Sequence, residues 1–395
     1  MNLNRGRSLM SIPGPSVVPD QVLNAMHQQM SNIYEGELID KSLAMFADLS
    51  RVVGTEGECF VAISNGHGAW EMALTNTMSR GDKVLVLSTG RFASGWGAQA
   101  EMLGCAVETM DFGDQAPVDI PQVLERLADD PEHTIKAILV VQIDTASSVW
   151  NDIEALGKAL RDSGHPALFM VDGVASLGCV PFHMDDWGVD VTIGGSQKGL
   201  MVPPGLGIAW AGPRALEVHP SADLRTPYWD WTARMQEGAH YLKFCGTAPI
   251  QHIHAMREAL DMIEDEGLEN VWARHAVFAK AVRAAVGAWS TPNGLTFNIA
   301  DEDYRADSTT TVLTGGINAS HLRAICEHQA GLTLGIGLGD FEDRAFRIGH
   351  MGHLNPPMVL GTLATVEAAL TAMDAPMAGS GVAAAAASIA DALAA

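Results

Sequence analysis

Two ionisable residues occupy positions where they could carry out covalent chemistry. Lys198 lies in TIGGSQKGLMVPPGLG, just after a β-rich run and among small residues, and Pro203 and Pro204 close the loop. A lysine in a partly buried site with few anions has a lowered amine pKa, so that it can attack an aldehyde and form a Schiff base. The alternative interpretation is a solvated loop lysine.

Asp172 ends the apolar run ALFMVD, upstream of the lysine. Open α/β sheets bind ligands at the carboxyl ends of their strands, and a carboxylate buried there is unfavourable unless it is paired. A ring nitrogen is a suitable partner, because an ionised carboxylate keeps that nitrogen protonated. The alternative interpretation is that Asp172 only caps the turn that follows.

The elements that must position these residues alternate between β-rich and helical runs from about Glu56 onward. CFVAI, KVLVLS, AVETMDF, AILVVQI, ALFMVD and VDVTIGGS are β-rich, and helical patterns such as GAWEMALTNTM and IEALGKALRDSG separate them. This alternation is typical of βαβ units. It predicts an α/β fold with a mainly parallel sheet whose strands are buried on both faces.

Changes of pattern along the chain predict its domain organisation. We expect an N-terminal segment at 1–20, a large domain at 21–275, a smaller mixed α and β domain at 276–380 and an alanine-rich tail at 381–395. The tail, SGVAAAAASIADALAA, contains Ser388 and Asp391 and lacks bulky apolar residues. We therefore predict a short surface or capping helix there rather than a membrane anchor.

Composition excludes several classes of partner. A net charge of −23 over 395 residues disfavours nucleic acids and anionic membrane surfaces. The five cysteines form no C-x-x-C pair and the amino terminus has no apolar signal region, so we expect a reducing, cytoplasmic setting. The histidine pairs, such as His350 with His353, have no carboxylate or cysteine cluster at ligand spacing, and no metal is expected.

Three segments, VDGVASLG, GSQKGLMVPPGL and FRIGHMG, resemble motifs of the class V aminotransferases that use pyridoxal phosphate. The closest resemblance is to the alanine–glyoxylate and serine–glyoxylate aminotransferases, and it extends from SIPGPSVVP to the GSGVAAA near the end. It implies fold type I, with a large cofactor-binding domain and a smaller C-terminal α+β domain. It also implies that Lys198 carries the cofactor as a Schiff base and that Asp172 binds its ring nitrogen.

The resemblance places the cofactor phosphate at SNGHGAWEMAL, which follows a strand and opens a helix. The amides of Gly66, His67 and Gly68 can approach an anion at such a helix terminus, although an ordinary glycine-rich turn is the alternative. Gln197, beside the lysine, is implied to bind the phosphate as well. Ser176 either hydrogen-bonds the cofactor or caps a helix.

Four further cofactor contacts are implied by the family pattern. Phe92 in STGRFASGW matches the aromatic residue that stacks on the cofactor ring. Thr145 in VVQIDTASSVWN matches a hydroxyl residue near the cofactor and substrate, although the residues before it differ from the family's usual H-N-E. Phe244 and Thr247 in KFCGTAP match a stretch that reaches into the site of a neighbouring subunit, which implies a homodimer or a higher homo-oligomer.

Substrate contacts follow from the same pattern. Arg347 in AFRIGHMG matches the family's carboxylate-binding arginine, whose planar guanidinium can form two parallel hydrogen bonds; a surface salt bridge is the alternative. Tyr34 and Glu35 in NIYEGELID stand where the family often has a His-Arg pair. We expect these two residues to alter the substrate preference.

The predicted reaction transfers the amino group of a small amino acid, serine, alanine or similar, to glyoxylate in ping-pong order, giving glycine and a 2-keto acid. The alternative is a related class V transaminase with another donor or acceptor: aspartate–glyoxylate, ureidoglycine–glyoxylate or pyridoxamine–pyruvate. A desulfurase is disfavoured because no cysteine lies in a recognisable catalytic loop. GIGLGD near Gly335 resembles a dinucleotide loop but lacks the early βαβ context. A binding module without turnover is a third possibility.

Overall fold

The computed structural model describes residues 3–394, in which two β-sheets are surrounded by helices. The strands are β1 (Leu9–Ser11), β2 (Glu58–Ser64), β3 (Lys83–Ser88), β4 (Ala106–Asp111), β5 (Ile135–Val141), β6 (Leu168–Asp172), β7 (Val191–Gly195), β8 (Gly205–Ala211), β9 (Thr296–Phe297), β10 (Thr309–Leu313), β11 (Leu332–Ile336) and β12 (Ala345–Gly349).

The α-helices are α1 (Asp20–Ala25), α2 (Glu37–Val53), α3 (Gly66–Thr77), α4 (Arg91–Leu103), α5 (Ile120–Ala128), α6 (Ile153–Ser163), α7 (Met184–Trp187), α8 (Pro213–Val218), α9 (Trp231–Met235), α10 (Ile250–Glu266), α11 (Leu268–Trp289), α12 (Ala319–Ala324), α13 (Pro356–Ala372) and α14 (Gly381–Ala394). Single 3₁₀ turns occur at His219–Ser221, His240–Phe244, Glu302–Tyr304 and Gly339–Phe341, and Ile325–Gln329 is π-helical.

The larger sheet has seven strands in the order β2-β8-β7-β6-β5-β3-β4. Strands β3 to β7 are parallel, and β8 runs antiparallel to both β2 and β7. The central strands β5, β6 and β7 are almost entirely buried, as their continuous apolar runs predict. The predicted α/β fold is confirmed, and the carboxyl ends of β5, β6 and β7 lie side by side.

The smaller sheet has the order β1-β11-β12-β10-β9 and takes its first strand from the amino terminus. Leu9 pairs with Leu332 in a parallel register, so the predicted N-terminal segment forms part of the sheet made mainly by the C-terminal part of the chain. The chain then passes from Ile12 to Ser16 towards the larger sheet. This short crossing brings the N-terminal segment to the loop after β7.

The alanine-rich tail forms helix α14, which packs on α11. Ala385 and Ile389 are buried in a cluster with Trp289. A Cβ at Gly381 would collide with the indole of Trp289, so the small residue permits the close approach of the two helices. Within residues 3–394, no helix is both long enough and apolar enough to cross a bilayer.

Candidate active site

A cavity of about 180 Å³ opens at the carboxyl ends of β5, β6 and β7. This is the edge at which doubly wound sheets bind ligands. Seven of the residues singled out in the sequence line it. They are Gly66, His67, Phe92, Thr145, Asp172, Gln197 and Lys198.

Lys198 lies three residues after β7 and is held by the N-terminal segment. Its Nζ donates a hydrogen bond to the carbonyl oxygen of Pro13. Ser16 ties the backbone of the same loop, because its Oγ donates to the carbonyl of Lys198 over 2.7 Å. Gly14 has a φ of +101°, and a Cβ there would collide with the lysine Nζ. The segment therefore fixes the amine and leaves no room for a side chain beside it.

Burial, followed by the positive charge of Arg347, lowers the pKa of the Lys198 amine from 10.5 to about 8. The carboxylate of Asp172 opposes this shift. An appreciable fraction of the amine is therefore unprotonated near neutral pH. Such an amine can attack a carbonyl carbon and can accept a proton from carbon.

The cofactor-free protein is expected to gain stability between pH 8 and pH 10.5 because of Lys198. In this window the unfolded chain keeps the lysine proton, whereas the folded protein has lost it. The unfolded state then binds more protons, so the free energy of unfolding rises with pH, by about 3 kcal/mol. Urea denaturation of the wild type and of Lys198→Met measures the difference. A Lys198→Met variant with the same rise would contradict this assignment.

Asp172 is the last residue of β6 and is 3% exposed. Its Oδ1 accepts the N–H of Val174 over 2.7 Å, and its Oδ2 accepts the indole N–H of Trp70 over 2.7 Å. Burial raises the pKa of the carboxyl to about 6. Asp172 thus supports the following turn and also faces the cavity, and its contact with a cofactor nitrogen stays a prediction.

The amino terminus of α3 reaches the cavity through Gly66 and His67. The side chain of Asn65 caps this helix, because its Oδ1 accepts the backbone N–H groups of His67 at 3.1 Å and Gly68 at 3.4 Å. A Cβ at Gly66 would lie 3.0 Å from Val174 Cγ2. Two of the three amides expected to meet an anion are therefore shared with Asn65, and Gly68 does not line the cavity.

Phe92 and Thr145 are positioned by the buried carboxylate of Asp144. The Oδ2 of Asp144 accepts the N–H of Phe92 over 2.7 Å, and its Oδ1 accepts the N–H of Ala146 over 2.8 Å. Asp144 thus caps the start of α4, whose own N-cap is Gly90 without a side chain. The carboxylate joins the start of α4 to the loop after β5, and these segments carry Phe92 and Thr145, which line the cavity.

Arg347 lies on β12 and is 6% exposed. Its Nε donates to the carbonyl of Ile336 and its Nη1 to the carbonyl of Thr145, each over 2.6 Å. Burial lowers the pKa of the guanidinium to about 10. Within residues 3–394, no carboxylate lies close enough to form an ion pair with it, so it is not the surface salt bridge that the sequence allowed. The side chain is suited to receive an anion.

Seven predicted residues do not line the cavity; two of them are Gly68 and Arg347, described above, and the other five are Ser176, Thr247, Tyr34, Glu35 and Phe244. Ser176 is fully buried and donates to the carbonyl of Gly173, as a turn cap does. Thr247 is exposed, and Tyr34 is 70% exposed; Glu35 accepts a bond from Asn32. The positions of these four residues do not test the roles expected of them, which stay predictions.

Phe244 lies in the core of its own chain. Its ring is 1% exposed and packs 5.7 Å from the ring of Phe46. An apolar ring is stable in such an environment, because it carries no hydroxyl that needs a polar partner. Its expected contact with the site of a neighbouring subunit stays a prediction.

Residues that we did not single out also line the cavity. Trp70 is the most informative, because it hydrogen-bonds Asp172, and it lies one helical turn after Gly66 on the same face of α3. Its helical spacing from the glycine was the signal available in the sequence. The others are Gly14, Pro15, Val141, Ile143, Val174, Ala175 and Pro204.

Comparison with known proteins identifies the family. The class V aminotransferase family model matches residues 12–338. The chain is 38% identical to a serine–glyoxylate aminotransferase of Methylorubrum extorquens, over 92% of this chain and 91% of that protein. It is 35% identical to an L-aspartate–glyoxylate aminotransferase of Paracoccus denitrificans, over 95% and 94%.

A solved structure supports the same fold. The crystal structure of ureidoglycine–glyoxylate aminotransferase from Bacillus subtilis superposes with a TM-score of 0.89 at 24% identity, covering 98% of this chain and all of that chain. At this identity the likeness concerns the fold alone, which is fold type I.

The cavity fits pyridoxal phosphate. Asp172 offers a buried carboxylate to a ring nitrogen, and Lys198 an amine to an aldehyde. Gln197 also lines the cavity, and the NH₂ group of its side chain is the part that can donate to a phosphate oxygen. The matched family and these side chains agree: the chain belongs to the class V aminotransferases and is a transaminase that depends on pyridoxal phosphate.

Proposed function

We propose that the enzyme transfers the amino group of a small amino acid, with serine as the first donor, to glyoxylate in ping-pong order. The observation that carries the chemistry is the presence of Lys198 and Asp172 in one cavity. The relatives that are named serine–glyoxylate aminotransferases support the choice of substrates. The contact of Gly14 with Lys198 supports small substrates, because the segment closes one side of the amine.

Five residues would hold the cofactor. Asp172 would bind the ring nitrogen, Phe92 would lie against the ring, and Thr145 would contact its edge. Gln197 and the amides at Gly66 would bind the phosphate. When bound, pyridoxal phosphate supplies an aldehyde that condenses with amines and a ring that accepts electrons from the substrate.

Lys198 would move the proton. With its pKa lowered to about 8, the unprotonated Nζ would take the proton from the α-carbon of the amino acid in the first half of the reaction. In the second half, Nζ would give a proton to the carbon of glyoxylate that becomes the α-carbon of glycine. Pro13 limits the positions of the amine because its carbonyl accepts one N–H. In ping-pong order the first keto acid leaves before glyoxylate binds, so one substrate site serves both.

Arg347 would bind the carboxylate shared by the amino acid and the keto acid. We expect Arg347→Lys to raise KM for both substrates roughly 10- to 100-fold with a smaller change in kcat, because an ammonium cannot form the two parallel bonds. Steady-state kinetics with each substrate varied provides the measurement. Arg126→Lys, in a surface pair with Glu108, is the control. A kcat loss without a KM change would contradict the assignment.

A test of the reaction separates its two halves. Serine, alanine and aspartate are added singly to the enzyme loaded with pyridoxal phosphate, and the visible absorbance of the bound cofactor is followed before glyoxylate is added. We expect serine to remove the band and glyoxylate to restore it with formation of glycine. A response to aspartate alone would favour the aspartate–glyoxylate alternative. No response to any donor would overturn the proposal.

We propose further that the enzyme is a homodimer in the cytoplasm. Exposed apolar side chains support a subunit contact: Tyr34 and Ile63 are 70% and 50% exposed. The ring of Tyr34 contacts that of Tyr241, and the hydroxyl of Tyr228 donates to the backbone carbonyl of Ile63. The unpaired cysteines support a reducing compartment. Sedimentation of the cofactor-loaded enzyme tests the dimer, and a monomer at micromolar concentration would refute it.

A further inference from the structure

The carboxylate of Asp172 receives hydrogen bonds on both of its oxygens. The backbone amide of Val174 donates to Oδ1 and the indole Nε1 of Trp70 donates to Oδ2, each over 2.7 Å. Trp70 is 2% exposed, so water does not compete for this bond. An amide N–H and an indole N–H can only donate. Neither of them can accept a bond from a protonated Asp172.

The indole is held firmly in its position. It stacks on the ring of Trp96 with centroids 6.0 Å apart and planes 14° apart. On another side it contacts the ring of His67, with centroids at 4.5 Å. Since Trp70 lies in the middle of α3, its backbone is fixed by the helix as well. The direction of its N–H is therefore set before any cofactor binds.

The other groups around Asp172 have opposite effects on its pKa. Burial and the nearby carboxylate of Asp144 favour the protonated form of Asp172, whereas the amine of Lys198 favours the ionised form. His67 lies behind the indole, and burial lowers its pKa, so it adds little positive charge. The two hydrogen bonds, together with the amine of Lys198, oppose the effect of burial on the pKa of Asp172. One of the two bonds comes from the side chain of Trp70, which can be replaced by mutation.

We propose that Trp70 is a positioning residue, which keeps Asp172 ionised and fixes the plane of its carboxylate for a protonated ring nitrogen. The proposal rests on the proposed function, because it assumes that pyridoxal phosphate binds at this site. Without the indole N–H, Asp172 is a stronger base. The proton between the carboxylate and the ring nitrogen then resides more on the carboxylate, and the ring accepts electrons less well.

The experiment compares three variants. Trp70→Phe removes the donor and retains an aromatic ring. Trp70→His restores a donor, because its Nε2 takes the place of the indole Nε1 on a five-membered ring. Trp231→Phe is the matched control, since the buried indole Nε1 of Trp231 has no partner among the described residues and its ring stacks on Phe60 rather than on Trp70. Thermal unfolding of each variant checks that it is folded.

Two readouts are used with each variant. The first is the dissociation constant of pyridoxal phosphate from the cofactor-free protein. The second is the nitrogen-15 chemical shift of cofactor labelled at the ring nitrogen, which distinguishes a protonated from a neutral nitrogen. We expect Trp70→Phe to weaken binding about 10-fold and to move the shift towards neutral pyridine. Trp70→His should recover both readouts, and Trp231→Phe should match the wild type.

The outcomes separate this inference from the proposed function. If the wild type binds no pyridoxal phosphate, the function itself fails and the inference falls with it. If the wild type binds and transaminates but folded Trp70→Phe keeps its affinity and nitrogen shift, only the inference is overturned. If Trp70→Phe does not fold, a folded Trp70→His with wild-type values supports the inference, and one with a neutral ring nitrogen refutes it.

Discussion

Replacement of Lys198 by alanine is expected to lower kcat by about 10⁴-fold or more. The substitution removes both the amine that condenses with the aldehyde and the group that moves the substrate proton. Pyridoxal phosphate should still bind, because Asp172 and the residues around the phosphate remain. Steady-state transaminase assays provide the measurement, together with the visible spectrum of the loaded variant.

The control and a rescue experiment make this prediction specific. Lys158→Ala removes a surface lysine that pairs with Asp162 and should leave kcat unchanged. A small primary amine added to Lys198→Ala should restore part of the activity, because the cavity then has space for it. If Lys198→Ala kept more than about one-hundredth of the wild-type kcat, the amine would not be the main proton carrier.

Replacement of Asp172 by asparagine is expected to lower kcat by about 10³-fold and to weaken cofactor binding. Both oxygens of the carboxylate now accept hydrogen bonds, from Val174 and Trp70. An asparagine has only one side-chain oxygen, so its NH₂ group must face one of these two N–H donors, which is unfavourable. The neutral asparagine also offers no negative charge to the ring nitrogen. Transaminase kinetics and cofactor titration provide the measurements.

A second buried carboxylate serves as the matched control for Asp172. Asp190 is 5% exposed and accepts the N–H of Phe169 over 2.7 Å, away from the cavity. Asp190→Asn should lower the melting temperature without a comparable loss of kcat. Equal kcat losses in the two variants would mean that Asp172 matters for folding rather than for catalysis.

The sequence predicts the central part of the site because the ends of the strands can be recognised from the amino-acid pattern. The apolar runs that end at Asp172 and before Lys198 are short and bounded by glycines, so their boundaries are clear. Parallel strands bring their carboxyl ends to one edge of the sheet, and this alone places the two residues together. Gly267 likewise separates α10 from α11, as the break in helical pattern predicts.

Other features depend on contacts between distant segments. Nothing near Leu9 indicates that its strand pairs with Leu332, because the partner lies more than three hundred residues away in the chain. The packing of Phe244 on Phe46 likewise joins two segments that are almost two hundred residues apart, and no local pattern indicates it. The donor role of Trp70 appears only when α3 is placed against β6.

The N-terminal crossing has a mechanical consequence for the reaction. Pro13, which accepts the bond from Lys198, and Arg347 both pack against Gly335 of β11, and β1 is paired to that same strand. The Pro13 carbonyl, which holds the Lys198 amine, and Arg347, which is suited to bind a substrate carboxylate, are therefore both attached to the smaller sheet. A tilt of this sheet relative to the larger one would move both groups together and would change the hydrogen bond to the amine.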